Sequence, residues 1–162
     1  MIKRFGMSKR FGITAAAAGL VGLAMGPASP AAGSDGDNGG EHRTITVTEV
    51  VLEQSFVDVG AKGPSLGDQF VFSGKLMMGG KQVGHDGGAC TFTSMKLHEA
   101  ICSAALSLAG GQVAVQGLVV DGQKDFTVPV TGGSGAFKEA SGELRVHQLT
   151  QTTSTLTLRL RG

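Results

Sequence analysis

The sequence predicts an all-β domain of eight short antiparallel strands, and three observations carry that prediction. Gly makes up 27 of 162 residues without a Gly-X-Y period. This excludes collagen, and at roughly 1 kcal/mol per helix-interior glycine it argues against a helical bundle. From Thr44 onward apolar residues recur with a period of two, the alternation of half-buried strands. Two glycine-bearing turns also pair neighbouring segments so that their apolar faces coincide, and a one-residue slip would invert a face. Hydrophobic residues are 41% and charged residues 17% of the chain, which is not the profile of a disordered protein.

The first 32 residues read differently from the rest. Lys3, Arg4, Lys9 and Arg10 precede an apolar run from Phe11 to Met25, and small residues with Pro27 and Pro30 follow. A basic start, short apolar core and small-residue exit make a secretory signal peptide, with cleavage expected after Ala31 or Ala32. The run is shorter than the ~20 residues of a membrane-spanning helix, so no stable membrane anchor is expected and the protein is expected outside the cell. Residues 33–43 then form a flexible polar tail, and the domain runs over 44–162. All 13 acidic residues lie after position 34 and ten of the 14 basic ones remain after cleavage, giving a mature net charge of −3 against +1 for the whole chain. Without a basic cluster, nucleic acid is not an expected partner.

The expected strands are Thr44–Phe56, Gln69–Leu76, Ala89–Thr93, Ile101–Leu108, Gln112–Val120, Asp125–Thr131, Glu143–Leu149 and Ser154–Leu160. A two-residue turn at Gly110-Gly111 would set Leu108 against Val113 and Leu106 against Val115. The turn Asp121–Lys124 would set Val119 against Phe126 and Val115 against Val130. Gly79-Gly80-Lys81 reads as a turn, and so does His85-Asp86, for which an acid/base pair is the alternative. Such a meander closes either as a barrel, which abolishes free edges, or as a sandwich.

Cys90 and Cys102 are the only cysteines. They fall on the apolar parities of their strands and centre a hairpin near Lys96, so a cross-strand disulfide is the expected pairing in an exported chain. Two buried free thiols, or a catalytic thiolate, are the alternatives. His42, His85, His98 and His147 show no metal-ligand spacing; neither a metal nor another cofactor is expected.

The most specific stretch is Val130–Gln148. Thr131, Gly132, Gly133, Ser134 and Gly135 follow a strand, Phe137 comes two residues on, and Gly142 opens the next strand. Ser65-Leu66-Gly67-Asp68, Val83-Gly84 with Gly87-Gly88-Ala89-Cys90, and Val113-Ala114-Val115-Gln116-Gly117 occur in the matching order. Together they resemble the barrel superfamily of allene oxide cyclases and dirigent proteins, over roughly Thr46 to Arg161. No Lys-Ser/Thr and helix follow the glycines, so they are not a phosphate loop. They read as a structural corner from which Phe137 folds back to plug one barrel end.

The resemblance implies an eight-stranded antiparallel barrel, often a homotrimer, with an apolar lumen. It further implies binding of a small hydrophobic molecule and direction of its cyclisation or stereoselective coupling, the activity of an isomerase or cyclase. A non-catalytic carrier of apolar ligands and a structural module with a filled barrel are the alternatives. The cyclases use a first-strand carboxylate. Here Glu49 lies in the comparable strand and shares parity with Ile45, Val47 and Val51, which directs it inward; an outward or salt-bridged residue is the alternative. The Asn that accompanies that carboxylate has no counterpart among Val50, Val51 and Leu52, and Tyr is absent. Val47, Val51, Phe70, Phe72 and Phe92 are expected to line the ligand site. Leu106, Val115, Phe126 and Val128 are expected to join them.

Overall fold

The computed structural model describes residues 42–161. The expected leader, and the tail up to residue 41, lie outside them. The chain order is β1 (His42–Val57), β2 (Gln69–Met78), β3 (Lys81–Ser94), β4 (Glu99–Leu108), β5 (Gly111–Val120), β6 (Asp125–Gly133), a 3-10 turn (Gly135–Phe137), β7 (Ser141–Gln148) and β8 (Thr153–Arg161). Each strand pairs with the next and β1 pairs with β8, so the sheet is a closed antiparallel barrel rather than a sandwich. Among the described residues no helix is long and apolar enough to cross a membrane.

All eight expected strands are present, with three corrections. β1 begins at His42, opposite Arg161, where a tail was expected up to residue 43. β3 begins at Lys81 instead of Ala89, so His85 and Asp86 sit inside a strand and not in a turn. The glycines that suggested a break serve close approach: a side chain at Gly88 would press on the Ser103 carbonyl at 2.6 Å and the Phe72 ring at 2.8 Å. The turn between β2 and β3 is Gly79-Gly80, with φ of +57 and +78. Positive φ at both central residues is the requirement of a tight two-residue hairpin.

The third correction concerns register. β4 and β5 pair Leu108 with Gly111, Leu106 with Val113 and Ala104 with Val115. The turn is therefore Ala109-Gly110, two residues out from the predicted pairing. A shift of two preserves the faces, which is why apolar parity alone did not detect it. Val115 does meet Val130, as predicted, next to a bulge at Ala114/Val115. Cys90 lies opposite Cys102, and the two form a disulfide.

The barrel interior divides along its axis. Toward the start of β1, Val47, Leu76, Val113, Val130, Leu158 and Leu160 form a close-packed core. Phe137 joins it from the 3-10 turn, with the Arg43 guanidinium 5.1 Å above its ring. Complete burial of each such side chain contributes roughly 1.5–3 kcal/mol, so this half anchors the fold. The other half, toward the end of β1, is hollow.

Candidate functional site

The hollow half is a cavity of about 280 Å³ that reaches the barrel mouth. That is close to the lower end of the ~300–1,000 Å³ usual for small-molecule sites. Its wall is mostly apolar and its floor carries two acids. Glu49 projects from β1 and Asp86 from β3, and both line the cavity. They are 7% and 6% exposed.

Gly74 brings them together. It lies on β2 between the two strands, opposite Val51 on one side and Asp86 on the other. On its inward parity neighbours Phe72 and Leu76 carry large side chains. A Cβ at Gly74 would stand 2.7 Å from Asp86 Oδ1 and 3.3 Å from Glu49 Cγ. The missing side chain leaves the space in which the two carboxyls face each other across the intervening strand.

Their electrostatics follow from that placement. Burial, then the Asp86 charge and a hydrogen bond with Asp86, raise the Glu49 pKa from its ordinary 4.5 to about 7, against the Ser154 hydroxyl, which favours the ionised form. Burial also raises Asp86, opposed by hydrogen bonding from Glu49 and the backbone and by the nearby His85. Two like charges confined in low dielectric cannot both ionise at little cost, so the pair retains a proton near neutral pH. Asp86 Oδ1 has no hydrogen-bond partner among the described residues.

Above the floor the wall is formed by Phe70, Phe72, Leu106, Val115, Phe126 and Val128, together with Val51 and the Cys90–Cys102 pair. Phe70 and Phe72 stack with centroids 6.3 Å apart. Gln54, Gln123, Gln148 and Gln151 add four amides, with Asp121 beside them. Gln54 faces inward because the bulge between Val51 and Glu53 shifts the inward parity of β1 by one residue.

Glu49, Val51, Phe70, Phe72, Leu106, Val115, Phe126 and Val128 thus come together around one cavity. Two expected lining residues do not. Val47 lies one inward position below Glu49 and is buried in the filled half. Phe92 stands against Phe56, with centroids 6.2 Å apart, and not on the cavity wall. The sequence reading sets Asp86 in a turn, with an acid/base pair with His85 as the alternative, because the glycines around it suggest a break, and it does not pair Asp86 with Glu49. The available signal was its even parity with Cys90 and Phe92. Among the described residues no group of three or more His, Cys, Asp or Glu is arranged to hold a metal.

The allene oxide cyclase barrel like domain matches residues 45–159 of the sequence. Among solved structures, a pyocyanin demethylase is 32% identical with a TM-score of 0.67, over 73% of this chain and 99% of that one. A Diels Alderase from Streptomyces koyangensis is 16% identical with a TM-score of 0.62, over 73% of this chain and 63% of its own. A pterocarpan synthase dirigent protein is 13% identical with a TM-score of 0.57, over 74% and 83%. At those last two identities the likeness is one of fold. No curated protein sequence matches the chain.

Proposed function

The chain belongs to the allene oxide cyclase-like barrel family, and from that premise we propose that its lumen takes up a small, mostly apolar molecule and directs its rearrangement, with Glu49 and Asp86 moving protons. The observation that carries this reading is a pair of buried carboxyls, one with a pKa of about 7, on the floor of an otherwise apolar cavity. A general acid–base acts best with a pKa near the working pH. One carboxylate takes a proton from one ligand atom, and the carboxyl that already holds a proton returns one to another. Ligand composition is unchanged, so the step is an isomerisation, ring closure included, and needs no oxidant. The apolar wall restricts the ligand's conformations and keeps water from the reacting atoms.

The relative at 32% identity favours a second reading, binding of a pyocyanin-like small molecule in the same lumen, and makes pyocyanin the first compound to assay. The leader read at residues 1–32 adds export to the proposal, and the Cys90–Cys102 bridge suits an oxidising compartment.

The test is to incubate the protein with pyocyanin and a panel of polyenes and phenols, followed by chiral product analysis. Wild type is expected to change rate or product ratio for at least one compound. Glu49→Gln and Asp86→Asn are each expected to lower that effect by about 10²-fold or more, the usual contribution of a general acid–base. Binding without any difference between wild type and variants would favour a carrier. Failure of every panel compound to bind would overturn the lumen reading.

A further inference from the structure

We infer that the lumen is built for a molecule that carries a positive charge on an apolar ring system and places that charge on the cavity floor. This rests on the lumen being the binding site, as proposed above, and adds the ligand's charge and its orientation.

Three features of the cavity support it. Asp86 Oδ1 is buried without a partner. A buried acceptor left unpaired is costly, and such groups in native proteins call for a partner. Every charged residue on the cavity wall is acidic: Glu49, Asp86 and Asp121, with no Lys, Arg or His among the lining residues. Around the pair, β2 offers only the backbone of Gly74 and β8 the neutral hydroxyl of Ser154. His85, next along β3, is exposed while Asp86 is buried. Among the described residues no cation lines the cavity to neutralise the floor. Finally, Phe70 and Phe72 present stacked rings on the wall. Aromatic faces attract cations and planar ring systems alike.

The alternatives fare worse on the same grounds. An anionic ligand would add its charge to the one the acid pair already carries in a low-dielectric space. A neutral hydrocarbon would leave the pair's charge without a partner. A protonated nitrogen on a two-ring frame supplies both the charge and an N–H for Asp86 Oδ1, a quaternary one supplies the charge alone, and a molecule of that size fits the roughly 280 Å³ available.

The experiment is calorimetric titration at neutral pH with three probes of nearly equal shape: N-methylquinolinium, 1-methylnaphthalene and 1-naphthoate. The cation is expected to bind at least about tenfold more tightly than the neutral probe, a difference of about 1.4 kcal/mol, and the anion more weakly than either. The double variant Glu49→Gln with Asp86→Asn is expected to lose the preference and still bind 1-methylnaphthalene. Asp86→Asn alone serves if the double variant does not fold, and is expected to lose most of the preference. Equal affinity for cation and neutral probe, tightest binding of 1-naphthoate, or a preference that survives the variants would overturn the inference and leave the lumen as a binding site. Failure of all three probes to bind would overturn the lumen reading and the inference with it.

Discussion

At Gly74 a single missing side chain sets the distance between Glu49 and Asp86. A methyl group there would meet Asp86 Oδ1 at 2.7 Å and the Val50 carbonyl at 3.1 Å, so Gly74→Ala is expected to force the carboxyls apart and to lower the Glu49 pKa from its value of about 7. Carbon-13 chemical shifts of the glutamate carboxyls would report this, and an unmoved titration would contradict it. The same pair couples stability to pH. The folded-state pKa of Glu49 is about 7 and its ordinary value is 4.5. Between those values the folded protein holds more protons than the unfolded chain, so this contribution to stability falls as pH rises. Glu49→Gln removes the penalty. Above pH 7 the variant is expected to be more stable than wild type, by up to about 3 kcal/mol, with the difference vanishing below the ordinary carboxyl range. Urea unfolding at acid and alkaline pH measures it, and parallel pH profiles for the two proteins would contradict the assignment. Stabilisation of the fold on removal of Glu49 would fit the proposed role of a group retained for chemistry.

The elements next to the cavity depend on a few local ties. Asp68 holds the loop between β1 and β2. Its carboxylate accepts the Val59 N–H at 3.0 Å, the Ser65 N–H at 2.7 Å and the Ser65 hydroxyl at 3.1 Å. These bonds, the one from Val59 foremost, hold its pKa below the ordinary 3.8. Its stabilisation is therefore complete above the ordinary value and is lost as pH falls through the folded one. The backbone of the same corner ties to β3, with the Phe92 N–H donating to the Asp68 carbonyl at 2.9 Å. Asp68→Asn is expected to lower the melting temperature and to speed amide exchange at Val59 and Ser65 first. Exchange that is unchanged at those two amides would show that the loop is held otherwise. On the adjoining hairpin, reduction of Cys90–Cys102 opens a short loop and is expected to cost about 2–4 kcal/mol. Because the barrel closes through β1 and β8 without it, the reduced protein is expected to remain folded at moderate temperature. Loss of the native circular dichroism spectrum on reduction would contradict that.

Across the whole molecule, what could be read from the sequence was what alternation and local turns encode. Inward parity placed Glu49, Phe70, Phe72, Leu106, Val115, Phe126 and Val128 on the interior face, and the glycine corner before Phe137 pointed to the fold. Parity does not encode depth along the axis. Val47 and Val51 are equivalent in a strand pattern, yet one fills the closed half and the other lines the cavity. It also does not encode how distant strands are juxtaposed. Asp86 meets Glu49 only because β1, β2 and β3 are neighbours in a closed sheet and β2 carries a glycine at the crossing. Six aromatic rings follow residue 32, all of them Phe, so the polar chemistry of the lumen falls to this acid pair and to the amides and hydroxyl around it. The central claim, a carboxyl pair that retains a proton in an apolar lumen, can be tested without knowing the substrate. The measurement is a carbon-13 NMR titration of the carboxyl groups of wild type and Asp86→Asn. The expected result is a Glu49 midpoint of about 7 in wild type that falls clearly when the Asp86 charge is removed. Titration of Glu49 in the ordinary carboxylate range in both proteins would contradict the account.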